Sequence, residues 1–389
     1  MIATTFDVLV VYSESIAQSA ASPDKNITTP FPVRSENELY NDVYGYFLQT
    51  CRKRNMRAAF TSSADIIGPG TCKSYWVFAR NRWSKIQRHG HANVVFDKVS
   101  PVNKKVQAHR ELLFSAPHIR PFNDLSVLNL FLDKQMTFNK FGDNTIPTVS
   151  IKDGTMKSIH AAHSLLDKMV GAHPQKGDFS TGIVMKDRYG AGGNDIYKFK
   201  KNQHDRVRRV MKQKKDMSFI LQPFTKFNKG YQHNNINVSA DIRLIYLNGK
   251  IVQTYIRMAK KRSYLCNEHC GGLLKYIRTQ DVPSIVMSHA KKILKTLNTS
   301  CSLFALDFIV SNNGNVYLIE GNTGPGLDWN PSIRENELKA KSFIRIIVKE
   351  LARLADVRPV VYLRKVKNET PITNDSFEFP ISSNAIALA

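Results

Sequence analysis

The chain has 389 residues, 42% hydrophobic and 23% charged, a globular balance that excludes wholesale disorder. Its 56 lysines and arginines against 32 aspartates and glutamates leave a formal charge of +24, with local runs at Arg52–Arg57, Lys198–Lys215 and Arg257–Arg262. No apolar run approaches the roughly 18 residues of a membrane helix, Met1–Val11 lacks the basic start of a signal peptide, and five scattered cysteines do not read as a disulfide framework. A soluble, cytoplasmic protein of two or three domains is the expectation, one whose charge biases it toward polyanions without naming one.

In chain order, residues 1–120 read as an N-terminal α/β domain. It has a buried strand in Phe6–Val11, a helix near Glu36–Lys53, and strands at Ser74–Ala79 and Asn93–Asp97. Pro121 marks a boundary. A helix over Asp124–Phe141 ends before Ile146-Pro147-Thr148, because proline disfavours helix in the residue before it. A helix over Met156–Met169 leads into strand-like segments from Gly182 to Ile256. A helix at Ser284–Leu297, a hairpin at Ser302–Glu320 and a helix near Asn336–Leu354 follow, and the polar tail beyond about Lys365 is expected to fray. The domains expected are therefore 1–120, 121–225 with a glycine-rich loop, 226–360 with an acidic hairpin, and a tail over 361–389.

The acidic hairpin carries the strongest signal. Asn313-Gly314 between two β-rich runs predicts a tight turn, since such turns need positive φ. Counting outward from a two-residue loop pairs Val310 with Tyr317 and Asp307 with Glu320. Two opposed carboxylates flanked by Leu306, Phe308, Leu318 and Ile319 require either a proton or a cation. Asn322 returns to the same face, and Asp, Glu and Asn together offer oxygen-only ligands suited to Mg²⁺ or Mn²⁺. A second hairpin turns at Asn248-Gly249, with Asp241, Arg243 and Arg257 on its strands. A strict register puts the two arginines on opposite faces, so a shared site needs a bulge or a strand end. Upstream, Lys186 precedes Gly190-Ala191-Gly192-Gly193, a loop able to close backbone N–H groups on phosphate but lacking the Gly-Lys-Ser/Thr of a P-loop. Cys266, His269 and Cys270 have no second pair at zinc-finger spacing, so a zinc site is not favoured.

Together these residues resemble the ATP-grasp superfamily, in its branch of RimK-like and glutathione-synthetase-like carboxylate–amine ligases. The matching run is Asp133-Lys134, Ile146-Pro147, Lys186 with the glycine loop, Gln222-Pro223-Phe224, Asp241-Ile242-Arg243, Arg257, Asn267 with Gly271-Gly272, Asp307, and Glu320-Gly321-Asn322 before Pro325-Gly326. It covers roughly residues 120–355. The resemblance implies an ATP-grasp fold behind a pre-ATP-grasp α/β domain. It implies Lys134 and Lys186 as cations at ATP, Gly190, Gly192 and Gly193 as a flap over the phosphates, and Gln222, Pro223 and Phe224 as the strand that reads adenine. Asp241 would lie near the ribose, Arg257 at the transferred phosphoryl group, Asn267 beside the metal, and Asp307, Glu320 and Asn322 on two Mg²⁺ (or Mn²⁺). The implied activity is an ADP-forming ligase that joins a carboxylate to an amine through an acyl phosphate. The substrates would be an amino acid, a peptide or an acidic protein tail, and the protein a possible homodimer. Two other readings stand beside it: a kinase of the inositol-polyphosphate type, and a nucleic-acid- or ribosome-binding protein with a vestigial ATP site. Thr225–Ala240 is longer than the family's usual link between hinge and Asp-Ile-Arg.

Overall fold

The computed structural model describes residues 3–100, 104–190, 192–193, 195–231, 238–261 and 263–356. The expected fraying beyond Lys365 lies outside them. The N-terminal sheet comprises β1 (Val8–Tyr12), β2 (Ala58–Ser62), β3 (Tyr75–Ala79), β4 (Arg82–Ile86), β5 (Val94–Lys98) and β6 (Arg120–Phe122), in the order β6-β5-β1-β2-β3-β4. Pairing is parallel from β6 to β2 and antiparallel beyond. β1 is buried along its whole length, as its unbroken Val-Leu-Val-Val demands of a central parallel strand. One face packs on α1 (Tyr40–Arg52), the other on α2 (Lys104–Leu113), a helix not foreseen from the sequence.

The expected helix over 124–141 is two helices, α3 (Leu125–Leu132) and α4 (Lys134–Phe141). Asp133 is extended between them, and its carboxylate accepts from the backbone N–H groups of Gln135 and Met136. An aspartate that caps the second helix ends the first. Next comes a four-stranded sheet of β7 (Val149–Ser150), β8 (Phe179–Asp187), β9 (Ile196–Lys200) and β10 (Phe219–Thr225), in the order β7-β10-β8-β9. α5 (Met156–Ala172) and α6 (His204–Gln213) cover one of its faces. Ile159, Ala162, Leu166 and Val207 meet Ile183, Met185, Phe199, Phe219 and Leu221 there. The strand-like reading of 182–256 is therefore interrupted by α6, whose one buried residue is Val207. Val207, Val210 and Met211 give it a short apolar stripe at helical spacing, set within the basic run Lys198–Lys215.

The last sheet contains β11 (Ala240–Leu247), β12 (Lys250–Met258), β13 (Leu273–Tyr276), β14 (Leu303–Val310) and β15 (Val316–Asn322), in the order β13-β12-β11-β14-β15. Side chains alternate across it. Ile242, Leu244, Ile256, Phe304, Leu306 and Phe308 face α7 (Ser284–Leu294). Ile245, Leu247, Leu303 and Ala305 face α8 (Arg334–Asp356), which also closes the N-terminal sheet against α1. α8 covers only one end of that second face. The other end holds charge.

Candidate active site

Two β-bulges decide which side chains share the uncovered end. In the β11–β12 pair, Tyr246 opposes Ile251 but Ile245 opposes Gln253, so Val252 is an extra residue. This one-residue shift puts Arg257 opposite Asp241 and supplies the bulge that a common arginine face requires. In the β14–β15 hairpin, Ser311 and Asn315 bracket a three-residue loop in which Gly314 adopts φ +87°, so Val310 opposes Val316 and not Tyr317. Ile319 is then the extra residue, and Asp307 still opposes Glu320. Without that bulge Glu320 would follow Leu318 onto the α7 face.

The result is a buried charge cluster on three neighbouring strands. Arg243 donates from Nε and Nη2 to the two oxygens of Asp307, at 2.6 and 2.5 Å, and from Nη1 to the Tyr255 hydroxyl. Arg257 donates from Nε and Nη2 to Asp241, at 2.8 and 2.9 Å, and from Nη2 to Asp307 at 2.6 Å. Asp307 is wholly buried. Burial works to raise its pKa, but Arg243 and Arg257 outweigh it and hold the carboxyl below the usual range. Asp241 goes the other way, raised by burial and by Asp307 against the pull of Arg257. The opposed carboxylates of Asp307 and Glu320 call for either a proton or a cation. Around Asp307 two arginines supply that charge.

Glu320 sits at the edge of this cluster, half-buried, with Lys134 Nζ at 3.9 Å. Lys134 also donates to the Gly190 carbonyl, which joins the start of α4 to the glycine loop. Lys186 belongs to the same group. Burial, then Lys134, pushes its pKa down to about 8, against the pull of Glu320. The loop is anchored at its first turn by a pair that sequence reasoning did not single out: Arg188 donates to both Asp133 oxygens, at 2.8 and 2.6 Å. Gly193 adopts φ +84°, and a Cβ there would lie 3.0 Å from Asn267 Cγ, so loop and Asn267 touch. Gly192, at φ +76°, shares the left-handed conformation.

On β10, Gln222 and Phe224 lie on the face opposite the helices, with Lys186 and Lys198 beside them by register. Gln222 Nε2 donates to Thr148 Oγ1 at 2.9 Å, and Pro223 opposes Ile183. The Phe224 ring packs edge-on against Tyr264, with the Lys198 ammonium 3.1 Å from its centroid. An aromatic and amide-lined strand beside a cationic cluster suits a planar base carrying phosphates.

For a metal, the oxygen donors of Glu320 and Asn322 fit a hard divalent cation, although Asn322 Oδ1 already accepts from the Gly324 N–H at 2.7 Å. Asp307 is a third oxygen donor, with both oxygens shared with arginine. Among the described residues no group of three or more His, Cys, Asp or Glu side chains is placed to hold a metal. No helix among them is long and apolar enough to cross a membrane.

Comparison with known proteins agrees with the fold. Residues 158–346 match the model of the RimK-like ATP-grasp domain. The fold is similar to that of D-alanyl-alanine synthetase A from Vibrio cholerae (13% identity, 91% of this chain, 99% of that one, TM-score 0.55). It is also similar to D-alanine–D-alanine ligase from Bacillus anthracis (14%, 90% and 98%, TM-score 0.52) and to D-cycloserine synthetase (14%, 88% and 99%, TM-score 0.52). No curated relative matches by sequence.

Proposed function

From the premise that this chain carries a RimK-like ATP-grasp domain, we propose that it is an ATP- and Mg²⁺-dependent ligase that forms an amide bond between a carboxylate and an amine. The observation that carries the reading is the convergence of Lys134, Lys186, the Gly190 carbonyl and Glu320 beside the aromatic, amide-lined face of β10. In this reading Gln222, Pro223 and Phe224 border the adenine, while Lys134 and Lys186 bind the phosphates. The loop from Gly190 to Gly193 closes over them and excludes water.

One substrate carboxylate oxygen attacks the γ-phosphorus, the bond to ADP breaks, and an acyl phosphate forms. The amine then attacks the acyl carbon, phosphate leaves with its electron pair, and the nitrogen loses a proton. No side-chain nucleophile is required, because the protein's part is positioning and charge neutralisation. Arg257, held through Nε and Nη2, presents Nη1 to the developing oxyanion, with Asp241 and Asp307 as the carboxylates that aim it. Glu320, Asn322 and Asp307 are the oxygen donors that would hold magnesium, which when bound neutralises phosphate charge.

The test is ATP turnover with Mg²⁺ against pools of amino acids and acidic peptides, reading ADP and free phosphate separately. The ligase reading expects amine-dependent phosphate release that is lost in Glu320→Gln. ADP formation without phosphate release would replace it with a kinase.

A further inference from the structure

Where α5 and α6 meet the end of β9, at the edge of the β7–β10 sheet, lies a second polar feature. A cavity of about 990 Å³ opens between α5 and α6, lined by His160, His163, Asp167, Lys168, Lys200, Lys201, Asn202 and His204 among others. Three imidazoles meet in it. His204 lies 4.5 Å from His160 and 4.3 Å from His163, centroid to centroid, edge-on to both.

The charge at its mouth is not balanced. Asp167 is the one acid in the lining, and Lys201 neutralises it at 2.9 Å. Lys168 and Lys200 have no carboxylate partner among the described residues and stand at the mouth as free cations. Behind them, His163 is 5% exposed, and its Nε2 is buried with no hydrogen-bond partner. A buried nitrogen left unpaired is costly, so native structures rarely keep one without a ligand or water to meet it. Burial, then His204, pushes the His163 pKa down to about 4, so at neutral pH this ring is a neutral hydrogen-bonding group. Among the described residues no group of three or more His, Cys, Asp or Glu side chains is placed to hold a metal, so the three rings are not a metal site. Lysines in the lining, imidazoles beside them and an unmet nitrogen on His163 match an oxyanion with several acceptors.

We propose that the α5–α6 cavity is a binding site for a small phosphorylated ligand, separate from the nucleotide face. Its phosphate is met by Lys168 and Lys200, with the imidazoles of His160, His163 and His204 behind. A cavity of this size admits more than a free phosphate, so the class extends to pyrophosphate and phosphate monoesters. The site lies on helices that back Met185 and Leu221, neighbours of Lys186 and Gln222 along their strands.

The test uses the full chain labelled with ¹⁵N in its histidine rings, with the nucleotide face first saturated by a non-hydrolysable Mg·ATP analogue. Inorganic phosphate, pyrophosphate and AMP, and as a control a single-stranded oligonucleotide, are then titrated in separate experiments, with resonances assigned through His160→Gln and His204→Gln. The proposal expects saturable shifts confined to His160, His163 and His204 for at least one probe, and about a tenfold weakening in Lys168→Gln and in Lys200→Gln. Both lysines are at the rim, so these variants fold. Which probe binds separates a free-phosphate site from a phosphoester site. Shifts spread evenly over all histidines, unchanged affinity in both lysine variants, or a response only to a single-stranded oligonucleotide would each overturn it.

Discussion

Replacing Asp307 by asparagine tests the central electrostatic claim, because Asp307 accepts from two arginines while wholly buried. Asparagine keeps the volume but removes the charge. It replaces the carboxylate that pairs with Arg243 by a neutral amide and turns the cluster from two acids and two bases into one acid and two bases. Breaking a buried pair by removing one partner costs about 3–5 kcal/mol, a large share of the roughly 5–15 kcal/mol that keeps a domain folded. The measurement is urea unfolding in EDTA, so that loss of a metal ligand cannot contribute. A double-mutant cycle with Arg243→Gln should show a coupling of about 1–3 kcal/mol. The pH dependence has a definite sign. Asp307 has a folded-state pKa below its unfolded value, so its contribution is present above the unfolded pKa of about 3.9 and is lost as pH falls through the folded one. The Asn variant should therefore show a shallower acid limb than the wild type. Equal urea midpoints in EDTA, or additivity within about 0.5 kcal/mol in the cycle, would refute the claim that the arginines hold Asp307.

Three further outcomes follow from single contacts. Gly321→Ala puts a Cβ 2.0 Å from Phe131 Cδ1 and should lower stability by about 1–3 kcal/mol in urea unfolding. Asp178 accepts from Ser311, Asn313, Asn315 and Tyr317 at 2.6–2.9 Å, which ties the start of β8 to the turn of the acidic hairpin. Asp178→Asn should cost about 1.5–3 kcal/mol and speed amide exchange at 311–317 before exchange elsewhere in the sheet. Lys186→Met should weaken Mg·ATP binding about 10- to 100-fold by calorimetry without lowering the urea midpoint, since it removes an ammonium that burial disfavours. In the wild type the same affinity should fall as pH rises through about 8.

What was legible in the sequence was local, and what was not depended on partners far along the chain. The Asn-Gly turns and apolar alternation announced both hairpins, and the ordered set of charged residues announced the fold around them. The opposition of Asp307 and Glu320 was reached from a two-residue loop. The chain makes a three-residue loop and a bulge at Ile319 instead, two one-residue shifts that cancel. A bulge depends on what the facing strand buries, and in β15 Val316 and Leu318 must meet the α7 core while Glu320 must leave it. The same logic broke the expected 124–141 helix. Nothing in its apolar run forbids continuation, but Asp133 is recruited by Arg188, 55 residues away. α6 differs, since its stripe of Val207, Val210 and Met211 is local and at helical spacing but lies inside a run dominated by lysine and arginine, which reads as a solvated segment. The arginines show the limit most sharply. Their position in Asp-Ile-Arg and at 257 marked them as functional, yet their carboxylate partners follow only once the Val252 bulge rotates one strand against the next. A site whose charges are balanced across three strands is specified by register, and register is a property of the folded sheet.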